Sequence, residues 1–386
     1  MTRVWDEFCG IKIYWTESPG IGGVIKKEIE DFIVEEIPVR FRSGKGYVIC
    51  LMEKRNLETF HALRIISKVL GINKERIGFA GLKDKRAMTK QYISIKGVSI
   101  EKLSSLQIEN IRLSDFRESS EPISLGMLRG NRFTIRIRDT GLEWGVIESR
   151  LKELQNEVKE RMVPNFFGLQ RFGETRPVSY LVGREIIRKD FERAVWLYLT
   201  ETFETEPPET IRARENLSRT HDLEEAKESF QNLYYESRII NSLLKGRSYT
   251  QVLKLMLELT RLFVHAYQSY IFNLTLSEFL KGKDIVGNFP AKVVGYRVVP
   301  EEGEFDEICG EILEKEGVKP EDFKIKELDL DAPGSVRPGM MKADFDFERD
   351  EDVTLRFELK PGSYATVLLR EITKNQKSSW APLSQP

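Results

Sequence analysis

Gly78-Phe79-Ala80-Gly81-Leu82-Lys83-Asp84-Lys85-Arg86-Ala87-Met88-Thr89-Lys90-Gln91 sets one carboxylate among three cations, between a glycine-bearing turn and a strand-like run. Nearby positive charge favours the ionised form of an acid wherever water does not screen it. An aspartate held as an anion suits a nucleophile or a charge stabiliser better than a general acid. Pattern alone also admits a solvated turn, with Asp84 in surface ion pairs of little worth. Residues 47–52 (Tyr-Val-Ile-Cys-Leu-Met) read as a buried strand. Residues 59–70 read as a helix, with Phe60, Leu63, Ile66 and Val69 at helical spacing and Gly71 as its stop. Residues 76–79 form a short strand into the loop, and 91–95 alternate as a strand does. The order strand, helix, strand, loop, strand puts Asp84 on a loop at a sheet edge, where a rigid scaffold holds functional groups.

Farther out, Gly22-Gly23 opens an extended run over 24–36 that Pro38 ends. Around 133–138, Asn131, Phe133, Ile135 and Ile137 share one strand face, and Arg132, Thr134, Arg136 and Arg138 share the other. On pattern this is a half-buried strand with Phe133 in the core. Residues 184–199 read as an amphipathic helix, Pro207-Pro208 breaks the chain, and 223–244 and 250–280 read as long helices. His265 in the last of these reads as a structural histidine. Residues 285–299 return to β-like alternation and 331–339 read as a linker. Residues 353–359 and 364–369 read as an antiparallel pair around Lys360-Pro361-Gly362, and the polar tail from Asn375 as disordered. The simplest organisation is a mixed α/β (α+β) domain built from both ends of the chain and interrupted by a mostly helical insertion.

A chain of 386 residues favours two or three domains. It has no apolar run long enough for a transmembrane helix, and its first residues lack the apolar core of a signal peptide. Cys9, Cys50 and Cys309 stand far apart, which argues against a zinc site or a disulfide framework and for a cytoplasmic setting. His61, His221 and His265 do not cluster, so a metal enzyme would have to rely on carboxylates. There is no GxxxxGK[ST] element, and Gly78 with Gly81 is no dinucleotide fingerprint. A phosphate-utilising enzyme therefore has no supporting motif. Net charge is −1, so the distribution of charge matters more than its sum. Basic residues concentrate near Asp84, over 129–138 and over 171–193, whereas 301–331 is strongly acidic.

The string GFAGLKDKRAMTKQ resembles the signature of the TruD family of tRNA pseudouridine synthases, and four further segments match in order. They are Gly23-Val24-Ile25-Lys26 with Asp31-Phe32-Ile33-Val34-Glu35-Glu36; Leu128-Arg129-Gly130-Asn131-Arg132-Phe133; residues 164–173 (PNFFGLQRFG); and residues 362–371 (GSYATVLLRE). The resemblance implies a pseudouridine synthase core with a mixed, largely antiparallel sheet over 1–164 and 336–374, a TruD-specific insertion over 165–335, and a tail over 375–386. It makes Asp84 the catalytic aspartate, as nucleophile or as the base that starts elimination. Lys26 is then assigned to positioning the RNA or supporting Asp84, and Arg370, at the end of a central strand, corresponds to the basic residue that pairs with the catalytic aspartate. Phe133 becomes the aromatic that stacks on the target base with Asn131 beside it, and Lys83 and Arg171 become RNA contacts. The expected substrate is tRNA, at uridine 13 of the D arm. The isomerisation needs no cofactor, and no membrane or protein partner is implied. The alternative from another class is a non-catalytic RNA-binding protein or chaperone on the same scaffold.

Overall fold

The computed structural model describes residues 5–375, so the tail over 376–386 lies outside the described residues. The described residues divide into two compact units, one of residues 16–163 and 342–375, the other of 5–15 and 164–341.

The first unit is built on an eight-stranded mixed sheet. Its strands are β1 (Phe32–Pro38), β2 (Ser43–Arg55), β3 (Ile77–Phe79), β4 (Met88–Lys96), β5 (Ile111–Ser119), β6 (Leu128–Ile137), β7 (Phe345–Arg349) and β8 (Val353–Leu359). They run in the order β7-β8-β6-β1-β4-β2-β5, with β3 also on β4. Only β1 and β4 pair in parallel within it. The register carries one transverse row, Lys54–Thr89–Val34–Phe133–Phe357, across five strands. Directly opposed residues of a sheet point to the same face, so these side chains share one side. The Thr59–Leu70 helix covers that side at the β2 and β4 end, where Ala62, Leu63 and Ile66 pack on Cys50, Met52, Ile93 and Ile95. Gly71 ends it in the left-handed region at φ 67°, as its sequence requires.

The arginine face of β6 is not free. Arg132 pairs with Glu358, Arg136 with Asp350, and Arg138 with both Asp31 and Asp352. The segment expected to pair with β8 does something else. Residues Ala365–Thr373 are a helix that buries Ala365, Leu368, Leu369 and Ile372, and β8 pairs instead with β7 and β6. Arg370 is thus a helical residue, not a strand end. A short apolar run cannot be told from a buried helix by periodicity, and the spacing 365, 368, 369, 372 is helical.

The second unit is mostly helical. Its centre is the Leu257–Leu280 helix, buried on most of its circumference, as expected for a helix apolar all round. The expected long helices are divided. Residues 184–199 belong to Ser179–Ile187 and Phe191–Thr200, parted where Lys189 turns left-handed at φ 63° and Asp190 caps the second. Residues 223–244 split into Leu223–Ser229 and Tyr234–Leu244, and a break at Met256 separates Tyr249–Leu255 from the central helix. In the stretch read as a linker, Ser335–Pro338 pairs antiparallel with Pro290–Val293. Buried charge is matched here: Arg214 bonds to Glu206 at 2.8 Å and to Glu236 at 2.7 Å, and Arg176 lies 3.3 Å from Glu206. Among the described residues, no helix is long and apolar enough to cross a membrane.

Candidate active site

Asp84 lies on the loop between β3 and β4 with its side chain 14% exposed, shielded yet reachable. Three anchors fix the loop. The Lys83 amide donates to Thr59 Oγ1 (3.1 Å), at the first residue of the Thr59–Leu70 helix. Gln91 Nε2 donates to the Gly81 carbonyl (3.0 Å). The Lys83 ammonium reaches Glu36 Oε2 at 2.8 Å, both side chains buried. Glu36 Oε1 in turn accepts from the Tyr92 amide. Lys83 was expected to face the substrate; its charge is instead taken up inside the protein.

Two other ammonium groups approach Asp84. Lys26 Nζ stands 3.9 Å from Oδ2 and lies over the Phe32 ring, 4.3 Å from its centroid. Lys54 Nζ donates to the Asp84 carbonyl at 2.7 Å. Lys26 is 1% exposed and left-handed at φ 57°, an uncommon conformation for a side chain of its kind. Burial pushes the Lys54 amine down to about 8; Asp84 and Glu58 oppose that shift, and Lys83 adds to it. Lysine is seldom buried without a role for its charge.

Glu36 opposes Asn131 across β1 and β6, and Val34 opposes Phe133. Asn131 and Phe133 thus lie on the same face as the ion pair that secures the loop. Asn131 Oδ1 is buried with no hydrogen-bond partner, a condition that calls for a ligand or another explanation. Phe133 is 6% exposed, stacked on Phe357 with centroids 5.1 Å apart and edge-on to Phe32 at 6.3 Å. Its ring is a core element here, and the open stacking platform expected of it is not what this structure presents. Arg370 pairs with its neighbour Glu371 at 2.9 Å, and Glu371 also accepts from the amide and hydroxyl of Thr16.

Arg171 belongs to the other unit. It donates to Ser269 Oγ and lies over the Phe167 ring. Phe166, Phe167 and Phe172 are buried there, and Asn273 bonds both the amide and the carbonyl of Phe167. The aromatic residues of this segment are packed inside the protein. Burial, with Arg171 and Arg261 beside it, pulls His265 down to about 4, which leaves it neutral near pH 7 and fits its structural reading.

Sequence reasoning missed Lys54, Glu36, Thr59 and Phe357. For Lys54 a signal existed: it continues the inward positions Cys50 and Met52 of β2, where the alternation calls for an apolar residue. The others needed the register.

The family model of tRNA pseudouridine synthase D (TruD) matches residues 8–289 and 283–372. A relative from Methanococcoides burtonii, named "Probable tRNA pseudouridine synthase D", is 34% identical over 95% of this chain and 96% of its own. One of the same name from Archaeoglobus fulgidus is 34% identical over 97% of this chain and 100% of its own. Among solved structures, a protein of Methanosarcina mazei named "Putative tRNA pseudouridine synthase D (TruD)" superposes with a TM-score of 0.76 at 32% identity, covering 96% of this chain and 97% of that one.

Proposed function

Because the chain belongs to the tRNA pseudouridine synthase D (TruD) family, we propose that it isomerises uridine 13 in the D arm of tRNA with Asp84 as the reacting carboxylate. The enzyme class is that of the family: a tRNA pseudouridine synthase, an isomerase. The reaction breaks the bond from C1′ to N1, turns the base and joins C1′ to C5. The proton lost from C5 is balanced by one gained at N1, so nothing is oxidised or transferred to water.

One observation carries the reading: a single carboxylate, largely shielded, on a loop secured from three sides, with an ammonium 3.9 Å from its oxygen. Such a group is preorganised to add to C1′ or to take the proton from C2′, and both routes start from the anion. Lys26 holds the charge in place. Asn131 Oδ1, buried without a partner, suits the imide N–H of a uracil taken out of its stack. Phe133, stacked on Phe357, lies on the same face of the sheet as Asn131. Arg370, anchored by Glu371, is a further basic group of the core, and Arg171 a secondary contact to RNA.

The test is carbodiimide mapping of pseudouridine on unmodified tRNA transcripts, with wild-type protein beside Asp84→Ala. A new stop in the D arm that the variant fails to produce, while still binding tRNA, is the expected outcome. Salt-sensitive binding without any stop on any tRNA puts the non-catalytic RNA binder ahead.

A further inference from the structure

We propose that Lys54 is a positioning residue of this reaction: its buried ammonium holds the main chain of Asp84 and supplies, with Lys26, the second positive charge beside the carboxylate. The inference rests on the reading of Asp84 as the reacting group.

The two lysines meet the aspartate from different sides. Lys26 Nζ faces the carboxylate at 3.9 Å, whereas Lys54 Nζ takes the carbonyl at 2.7 Å. Lys54 lies in the transverse row that runs through Thr89 and Val34 to Phe133, so it rises from the face that carries Asn131 and the loop anchors. It is 1% exposed. The charged groups that act on it are Asp84 and Glu58, which favour its ammonium, and Lys83, which opposes it.

A merely structural role does not account for a lysine here. Thr59, Gln91 and the Lys83–Glu36 pair already anchor the loop, and an apolar residue would continue Cys50 and Met52 without the cost of burying a charge. That cost has a definite sign. The folded amine loses its proton near pH 8, below the ordinary lysine value of about 10.4. The unfolded chain therefore binds more protons between those values, and stability rises with pH across that window. Below pH 8 the full penalty is present. A residue kept in spite of a standing penalty, and bonded to the reacting loop, is kept for what its charge does there.

The experiment measures single-turnover rates on unmodified tRNA from pH 6 to 9.5 for wild type, Lys54→Met, Lys54→Arg and Asp84→Ala. Lys54→Met is expected to melt at pH 7 no lower than wild type and to bind tRNA within about twofold. Its rate at saturating tRNA should fall by about a hundredfold, the scale of a reacting group displaced by 1 Å. The wild-type rate should decline above pH 8, and in Lys54→Arg, which stays charged, that decline should move to higher pH. Lys54→Met with the wild-type rate and pH profile overturns the proposal, as does a wild-type rate that does not decline up to pH 9.5. The wild-type profile needs no variant, so a misfolded substitution leaves the test intact. An inactive wild type brings down the reading of Asp84, and this inference with it. An active wild type, a dead Asp84→Ala and an unchanged Lys54→Met bring down the role of Lys54 alone.

Discussion

At the scale of single residues, the three lysines around Asp84 have separate duties, and their chemistry in sequence is the same. Lys26 faces the carboxylate, Lys54 the carbonyl, and Lys83 turns away to Glu36. Lys83 and Glu36 are both buried, so each needs the other: removing one partner of a buried pair leaves an uncompensated charge, at a cost of about 3–5 kcal/mol. Lys83→Met should lose stability on that scale in chemical denaturation, and Lys83→Met with Glu36→Gln should recover much of it. A destabilisation under about 1 kcal/mol would place Lys83 among solvated ion pairs instead. That Asp84 sits on a loop among cations was legible from the string around it. Which lysine does what was not, because the partner, Glu36, is 47 residues away and reaches the loop through strand pairing.

At the scale of elements, the Thr59–Leu70 helix, β4 and β6 follow their local patterns, with one apolar face, a clear alternation and a glycine stop. The Ala365–Thr373 helix does not disclose itself, since five consecutive residues from Ala365 suit a buried strand equally well. What decides is that β8 already has neighbours on both edges, β6 and β7, so no edge is left for the segment to join. The helical unit has a similar case of tertiary demand. A Cβ at Gly183 would stand 2.0 Å from the carbonyl oxygen of Phe263, so the Ser179–Ile187 helix meets the central helix backbone to backbone. Gly183→Ala should therefore destabilise by about 1–3 kcal/mol through overpacking, although alanine is the better helix former. Thermal melting checks it; a stabilised variant would mean that the helices separate freely at this point.

At the scale of the whole molecule, the chain is nearly neutral, at net charge −1, and must still hold a polyanion. Basic residues concentrate over 129–138, but Arg132, Arg136 and Arg138 are each paired to an acid of a neighbouring strand or loop. Few free cations remain there, so tRNA binding should show a modest salt slope. With about four phosphate contacts, affinity should fall by roughly a hundredfold between 50 and 200 mM salt. A loss of ten-thousandfold would mean that these pairs open on RNA. The family, the two-ended core around a helical middle and the place of Asp84 among cations on a loop could all be read in the chain, because short motifs, periodicity and capping are local properties. The tertiary structure alone decided that Phe133 is covered by Phe357, that Lys83 is neutralised, that Lys54 reaches the Asp84 carbonyl and that the last apolar segment is a helix. Each of those depends on strand register and on competition for partners between residues far apart in the chain, which no local pattern encodes.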